Sequence, residues 1–132
     1  MIMQQTFKDK TVVVTGGANG IGRCIAEEFR SAGATVYVID KQEGEHFVGD
    51  ISRKEVLEAF VDEILSGCTQ VDCIINNALP LMKGIDECTY EEFQYALSVG
   101  VTAPFYLVKP LKPHLAEGAS IVNISSLHLL IA

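Results

Sequence analysis

Four glycines crowd the eight-residue stretch TGGANGIG, Thr15 to Gly22, which lies between a β-branched run and a helical pattern. Residues of this type at a strand-to-helix turn can cradle a pyrophosphate. The glycines let the backbone turn tightly and approach the ligand, and the free N–H groups and dipole at the helix start favour its negative charge. Gly16, Asn19, Gly20, Ile21 and Gly22 are therefore candidate cofactor-binding residues. A second chemical group lies at the spacing that such a turn requires. Asp40 ends the next β-branched run, where a carboxylate can accept hydrogen bonds from an adenosine ribose and repel a 2′-phosphate. This favours NAD over NADP as the ligand, although the adjacent Lys41 weakens the exclusion and joins the candidate contacts.

The elements that must position these residues follow from alternation. Apolar runs and helical patterns succeed one another, the signature of βαβ units and a parallel sheet. TVVVTG from Thr11 reads as a buried strand, and a helix follows, with Ile21, Ile25 and Phe29 at helical spacing and Gly33 placed to end it. TVYVID is a second strand and HFVGD a short third. Ser52 is then placed to cap a helix whose Val56, Phe60, Ile64 and Leu65 form an apolar stripe. VDCIIN is a fourth strand. A long helix starts near Thr89, with Thr89 and Glu92 at capping-box spacing, and SIVNIS from Ser120 is the fifth strand. The expectation is one α/β domain over residues 1–132, a doubly wound parallel sheet.

Composition narrows the function. About half the residues are hydrophobic (48%) and the formal net charge is −7. An acidic chain is ill suited to neutralising phosphates, so neither nucleic acid nor an anionic membrane surface is expected as a partner. No uninterrupted apolar run is long enough to span a bilayer, and the first ten residues lack a secretory signal, so a cytoplasmic location is expected. Cys24, Cys68, Cys73 and Cys88 follow no metal-ligand spacing; Cys24 and Cys73 lie in apolar segments and read as buried thiols. His46, His114 and His128 are scattered, and no metal is assigned.

In its motifs the chain resembles the classical short-chain dehydrogenases/reductases along essentially its whole length. The turn has the family's TGxxxGIG spacing. GDI, at Gly49 to Ile51, is similar to the family's adenine-side motif, which implies that Asp50 and Ile51 contact the adenine. Asn76, Asn77 and Ala78 resemble the motif after the fourth strand, implying that Asn77 and Ala78 border the cofactor. NISS resembles the segment that holds the catalytic serine, a role the resemblance places on Ser126.

The resemblance thus implies a Rossmann-like fold and an NAD(P)-dependent oxidoreductase moving hydride between nicotinamide and a small alcohol or ketone. In the family a Tyr-x-x-x-Lys pair follows the serine, with the tyrosine as general acid/base. No tyrosine or lysine follows Ser126, and Tyr90, Tyr95, Tyr106 and Lys109 stand too far back in the pattern to substitute. The chain is read as the cofactor-binding half of such an enzyme, truncated after the fifth strand and inactive alone. A non-catalytic nucleotide-binding protein and an inactive folding fragment are the alternatives. Homo-oligomers are expected, through the long helix or the tail from Leu127 to Ala132.

Two departures stand out. Where the family has NNAG, this chain has Leu79 and then Pro80, which drives the preceding residue to extended conformations. Where the family has an active-site asparagine in the long helix, this chain has Gly100. Phe93, Ala96, Leu97, Gly100, Val101, Pro104, Phe105 and Val108 share a helical face, which turns Gly100 inward. Pro104 donates no hydrogen bond to the Gly100 carbonyl, so a kink is expected there. In the family that carbonyl holds a relay water, so Gly100 is a candidate for keeping the relay. Close packing is the alternative.

Overall fold

The computed structural model describes residues 6–125. Ser126, the expected catalytic serine, and the tail from Leu127 to Ala132 lie outside the described residues. Five parallel strands form one sheet: β1 (Thr11–Thr15), β2 (Thr35–Asp40), β3 (Phe47–Val48), β4 (Val71–Asn76) and β5 (Leu115–Asn123), in the order β3-β2-β1-β4-β5. The helices are α1 (Gly20–Ser31), α2 (Lys54–Gly67), α3 (Tyr90–Leu97) and α4 (Ala103–Leu111). A π-helical turn, Ser98–Thr102, joins α3 to α4.

β1 is central, and every one of its residues is buried. Its side chains alternate between two cores, as strand geometry demands. Val13 packs with Ile39, Ile74, Phe60, Ile64 and Leu107 on the side of α2 and α4. Val12 and Val14 pack with Ala26, Val38, Cys73 and Ile75 on the side of α1. This burial on both faces is why the strands read as unbroken apolar runs. The same face-to-face demand fixes register: Val12 stands opposite both Val36 and Cys73.

Four local expectations are corrected. Ser52 does not cap α2. Its amide is drawn to Asp50 Oδ1 at 2.9 Å, and the N-cap is Arg53. Cys24 is exposed, because α1 turns Gly22 and Ala26 to the sheet and Cys24 away. β5 begins at Leu115 rather than Ser120, with a register shift against β4 between Val71 and Cys73 and with Gly118 at φ +77°. The apolar face read on the long helix divides in two. Ala96, Val99, Ala103 and Leu107 are buried, whereas Phe93, Leu97, Val101 and Phe105 are exposed. The helix is apolar on more than one side, so periodicity alone could not choose the buried one. The irregularity expected ahead of Pro104 is present as the π-helical turn, a recognised site of helix bending.

Candidate functional site

A cavity of about 780 Å³ opens where the chain leaves the carboxyl ends of β1 to β4. Strand order reverses between β1 and β4, and such a switch point is where open α/β sheets form their binding crevice. Gly16 and Asn19 line it from the turn after β1, Asp40, Lys41 and Gln42 from the end of β2, and Gly49, Asp50 and Ile51 from the segment after β3. Asn77, Ala78 and Leu79 line it from beyond β4. Of the expected cofactor contacts, Gly20, Ile21 and Gly22 are not in the lining; they form the first turn of α1 behind it.

The glycine turn is held in shape by Asn77. Its Nδ2 donates to the carbonyls of Thr15 (3.1 Å) and Gly16 (3.0 Å), while the Asn77 and Ala78 amides both donate to Thr15 Oγ1 at 3.1 Å. At Gly16 and Gly22 there is no room for a side chain. Gly16 has φ +68°, and a Cβ there would lie 2.8 Å from Ala78 Cα; at Gly22 a Cβ would strike the Gly16 carbonyl oxygen and Asn77 Nδ2. The residues after β4 thus shape the backbone that faces the cavity.

Asp40 accepts from the Ala18 amide through Oδ2 and from the Gln42 amide through Oδ1, each at 3.0 Å. Its carboxylate is therefore pinned at the end of β2 beside the glycine turn. Asn19 Nδ2 donates to Gln42 Oε1 at 2.6 Å, tying the two rims together. Asp50 stands further along the cavity. Its Oδ1 accepts from the Ser52 amide, and its Oδ2 accepts from the Tyr95 hydroxyl at 3.1 Å. Partial burial works against ionisation of Asp50. The Ser52 amide and hydroxyl, the Tyr95 hydroxyl and the Lys41 charge outweigh it, and the carboxyl is held below its ordinary range.

Residues 10–130 match the family described as short chain dehydrogenase. The chain belongs to that family. It is 35% identical to mouse L-fucose dehydrogenase, with 92% of this chain and 50% of that protein aligned. Among solved structures, an apo SCOR enzyme from Clostridium thermocellum superposes with a TM-score of 0.86 at 34% identity, over 94% of this chain and 57% of the other. A short-chain dehydrogenase from Burkholderia cenocepacia, solved in complex with NADP, does so with a TM-score of 0.84 at 25% identity, over 91% and 56%. The chain thus spans about half the length of the relatives it matches.

The departures from the short-chain dehydrogenase pattern meet in space. A Cβ at Gly100 would lie 3.2 Å from Leu79 Cδ1, so the side chain that replaces the family's NNAG glycine approaches the site of its absent asparagine. Leu79 is 57% exposed and free to shift, so close packing does not by itself demand glycine at 100. Asn76 Nδ2 donates to Asn123 Oδ1 at 2.8 Å, and the Ile124 amide to the Asn76 carbonyl. These bonds hold the chain beside β4 as far as Ile124. Sequence reasoning missed Gln42 and Tyr95. Gln42 carried no motif, and Tyr95 is 45 residues from Asp50, a pairing that only the fold discloses.

Proposed function

We propose that the chain is the cofactor-binding part of a cytoplasmic NAD-dependent short-chain oxidoreductase. The observation that carries this reading is the Asp40 carboxylate, pinned at the end of β2 beside the glycine turn. It is placed to accept hydrogen bonds from a ribose diol, and its charge opposes a 2′-phosphate. Gly16 and Asn19 would lie along the pyrophosphate, Asp50 and Ile51 toward the adenine, and Ala78 beside the cofactor's inner face. The cavity is of the size that ligand sites commonly have. When bound, nicotinamide gives or takes the hydride; the protein's part is to orient it against an alcohol or carbonyl.

NADP complexes occur among the structural relatives, so the preference needs direct measurement. Titration of the purified chain with NADH and NADPH, followed by nicotinamide fluorescence, is expected to show tighter binding of NADH. Asp40→Ser is expected to narrow the gap. Tighter NADPH binding, or no binding of either, would overturn the reading.

For the whole protein, sugars head the substrate panel, because a relative 35% identical is an L-fucose dehydrogenase. Ser126 is proposed to polarise the substrate oxygen, and Gly100 to offer a backbone carbonyl to the proton relay. A polypeptide of these 132 residues alone is expected to bind cofactor without turnover, since Ser126 supplies no proton at neutral pH. Steady NAD reduction by it with any secondary alcohol would contradict this.

A further inference from the structure

Asp50 is one of the carboxylates that line the cavity, and unlike Asp40 it is gripped by a side chain from a distant helix. The Tyr95 hydroxyl on α3 donates to Oδ2, the Ser52 amide holds Oδ1, and Lys41 Nζ lies 5.7 Å from the centre of the Tyr95 ring. Tyr95 and Lys41 themselves line the cavity. Both oxygens of the carboxylate are thus held by fixed donors, and lone pairs not so engaged remain to accept from a ligand. An ionised carboxylate accepts and never donates. A ring bearing an exocyclic amino group satisfies it, whereas a ring with a carbonyl at that position sets one acceptor against another.

We propose that Tyr95 is a positioning residue for base recognition: it orients Asp50 so that the site selects a 6-aminopurine over a 6-oxopurine. The proposal rests on the dinucleotide reading, in which Asp50 faces the adenine, and adds to it the residue that orients that carboxylate. Lys41 completes the arrangement, its charge over the Tyr95 ring being of the cation–π kind. Tyr95→Phe keeps that ring and removes only the hydroxyl. Tyr106 serves as the matched control, because its hydroxyl donates instead to Glu58 on α2, outside the cavity.

The test is a binding titration of the purified chain with NADH and with the reduced hypoxanthine dinucleotide, for the unaltered protein, Tyr95→Phe and Tyr106→Phe. The unaltered protein and Tyr106→Phe are expected to prefer the adenine form by about tenfold, the scale of one charge-assisted hydrogen bond. Tyr95→Phe is expected to reduce that preference to under about threefold, mainly through weaker adenine binding. An equal loss for both dinucleotides would mark a merely structural role and overturn the proposal, as would an unchanged preference. Failure of the unaltered protein to bind either dinucleotide would overturn the cofactor reading together with this one. Carboxyl NMR of ligand-free protein provides a second readout. The Asp50 titration is expected to move up in Tyr95→Phe and stay put in Tyr106→Phe, and an unmoved Asp50 in Tyr95→Phe would count against the proposal.

Discussion

Gly22 and Gly100 both stand in helical segments, yet a methyl group added to each meets different surroundings. At Gly22 it meets the Gly16 carbonyl and the Asn77 amide, neither of which can retreat without opening the turn. Gly22→Ala should therefore destabilise the chain by about 1–3 kcal/mol, the usual cost of overpacking, and weaken dinucleotide binding as well. At Gly100 it meets the end of one exposed leucine, so Gly100→Ala should change stability by less than about 1 kcal/mol. Urea midpoints of the two variants measure the contrast, and equal losses would contradict it. Asp50 supplies a prediction in pH. Its folded carboxyl titrates below the ordinary value, so the stability it contributes is fully present above the unfolded value of about 3.9. That contribution is lost as the pH falls further, through the folded value. Asp50→Asn should lose stability near neutrality and show a shallower decline from pH 5 to pH 3 than the parent, as read from urea midpoints at each pH.

At the scale of elements, α3 begins with a complete capping box: the Thr89 hydroxyl accepts from the Glu92 amide, and the Glu92 carboxylate accepts from the Thr89 amide. Thr89→Ala should cost about 1 kcal/mol. Because the cap is exposed, the loss should be local. Hydrogen exchange is expected to quicken in the first turn of α3 and remain unchanged in β1 and β4; uniform quickening would argue otherwise. This capping box could be read from spacing alone, since its two residues are three apart. The strands could be read because parallel strands buried on both faces are continuous apolar runs. What escaped depended on competition or distance. Ser52 had the chemistry of a cap, but Asp50 took its amide. The start of β5 was hidden by polar and glycine residues around Gly118, which sits in a conformation glycine favours. The buried side of the long helix was undecidable while apolar residues lay on both sides. Tyr95 could join the site only after α3 had been laid beside the segment that follows β3.

Taken whole, the molecule exposes a row of apolar side chains on its long helix: Phe93, Leu97, Val101 and Phe105, four residues apart in turn, are each at least 40% exposed, and Ile121 and Val122 are exposed on the edge strand β5. Self-association through α3–α4 is the expected outcome, since exposed apolar patches commonly mark association sites. Sedimentation should show the chain associating as its concentration rises. The double substitution Val101→Asp and Phe105→Asp should return it to a monomer of unchanged circular dichroism; association unaffected by those charges would refute the assignment. The strand order has one further effect, which concerns the chain during its synthesis. β1 pairs with β2 nearby but reaches its other neighbour, β4, only across 61 residues, a span seen in the bond from the Thr11 amide to Asp72. A ribosome adding about 5–20 residues per second therefore leaves one side of the most buried strand open for roughly 3–12 s. In that interval Val12, Val13 and Val14 present both an unpaired backbone and bare side chains, a natural target for chaperones that bind extended apolar segments of nascent chains.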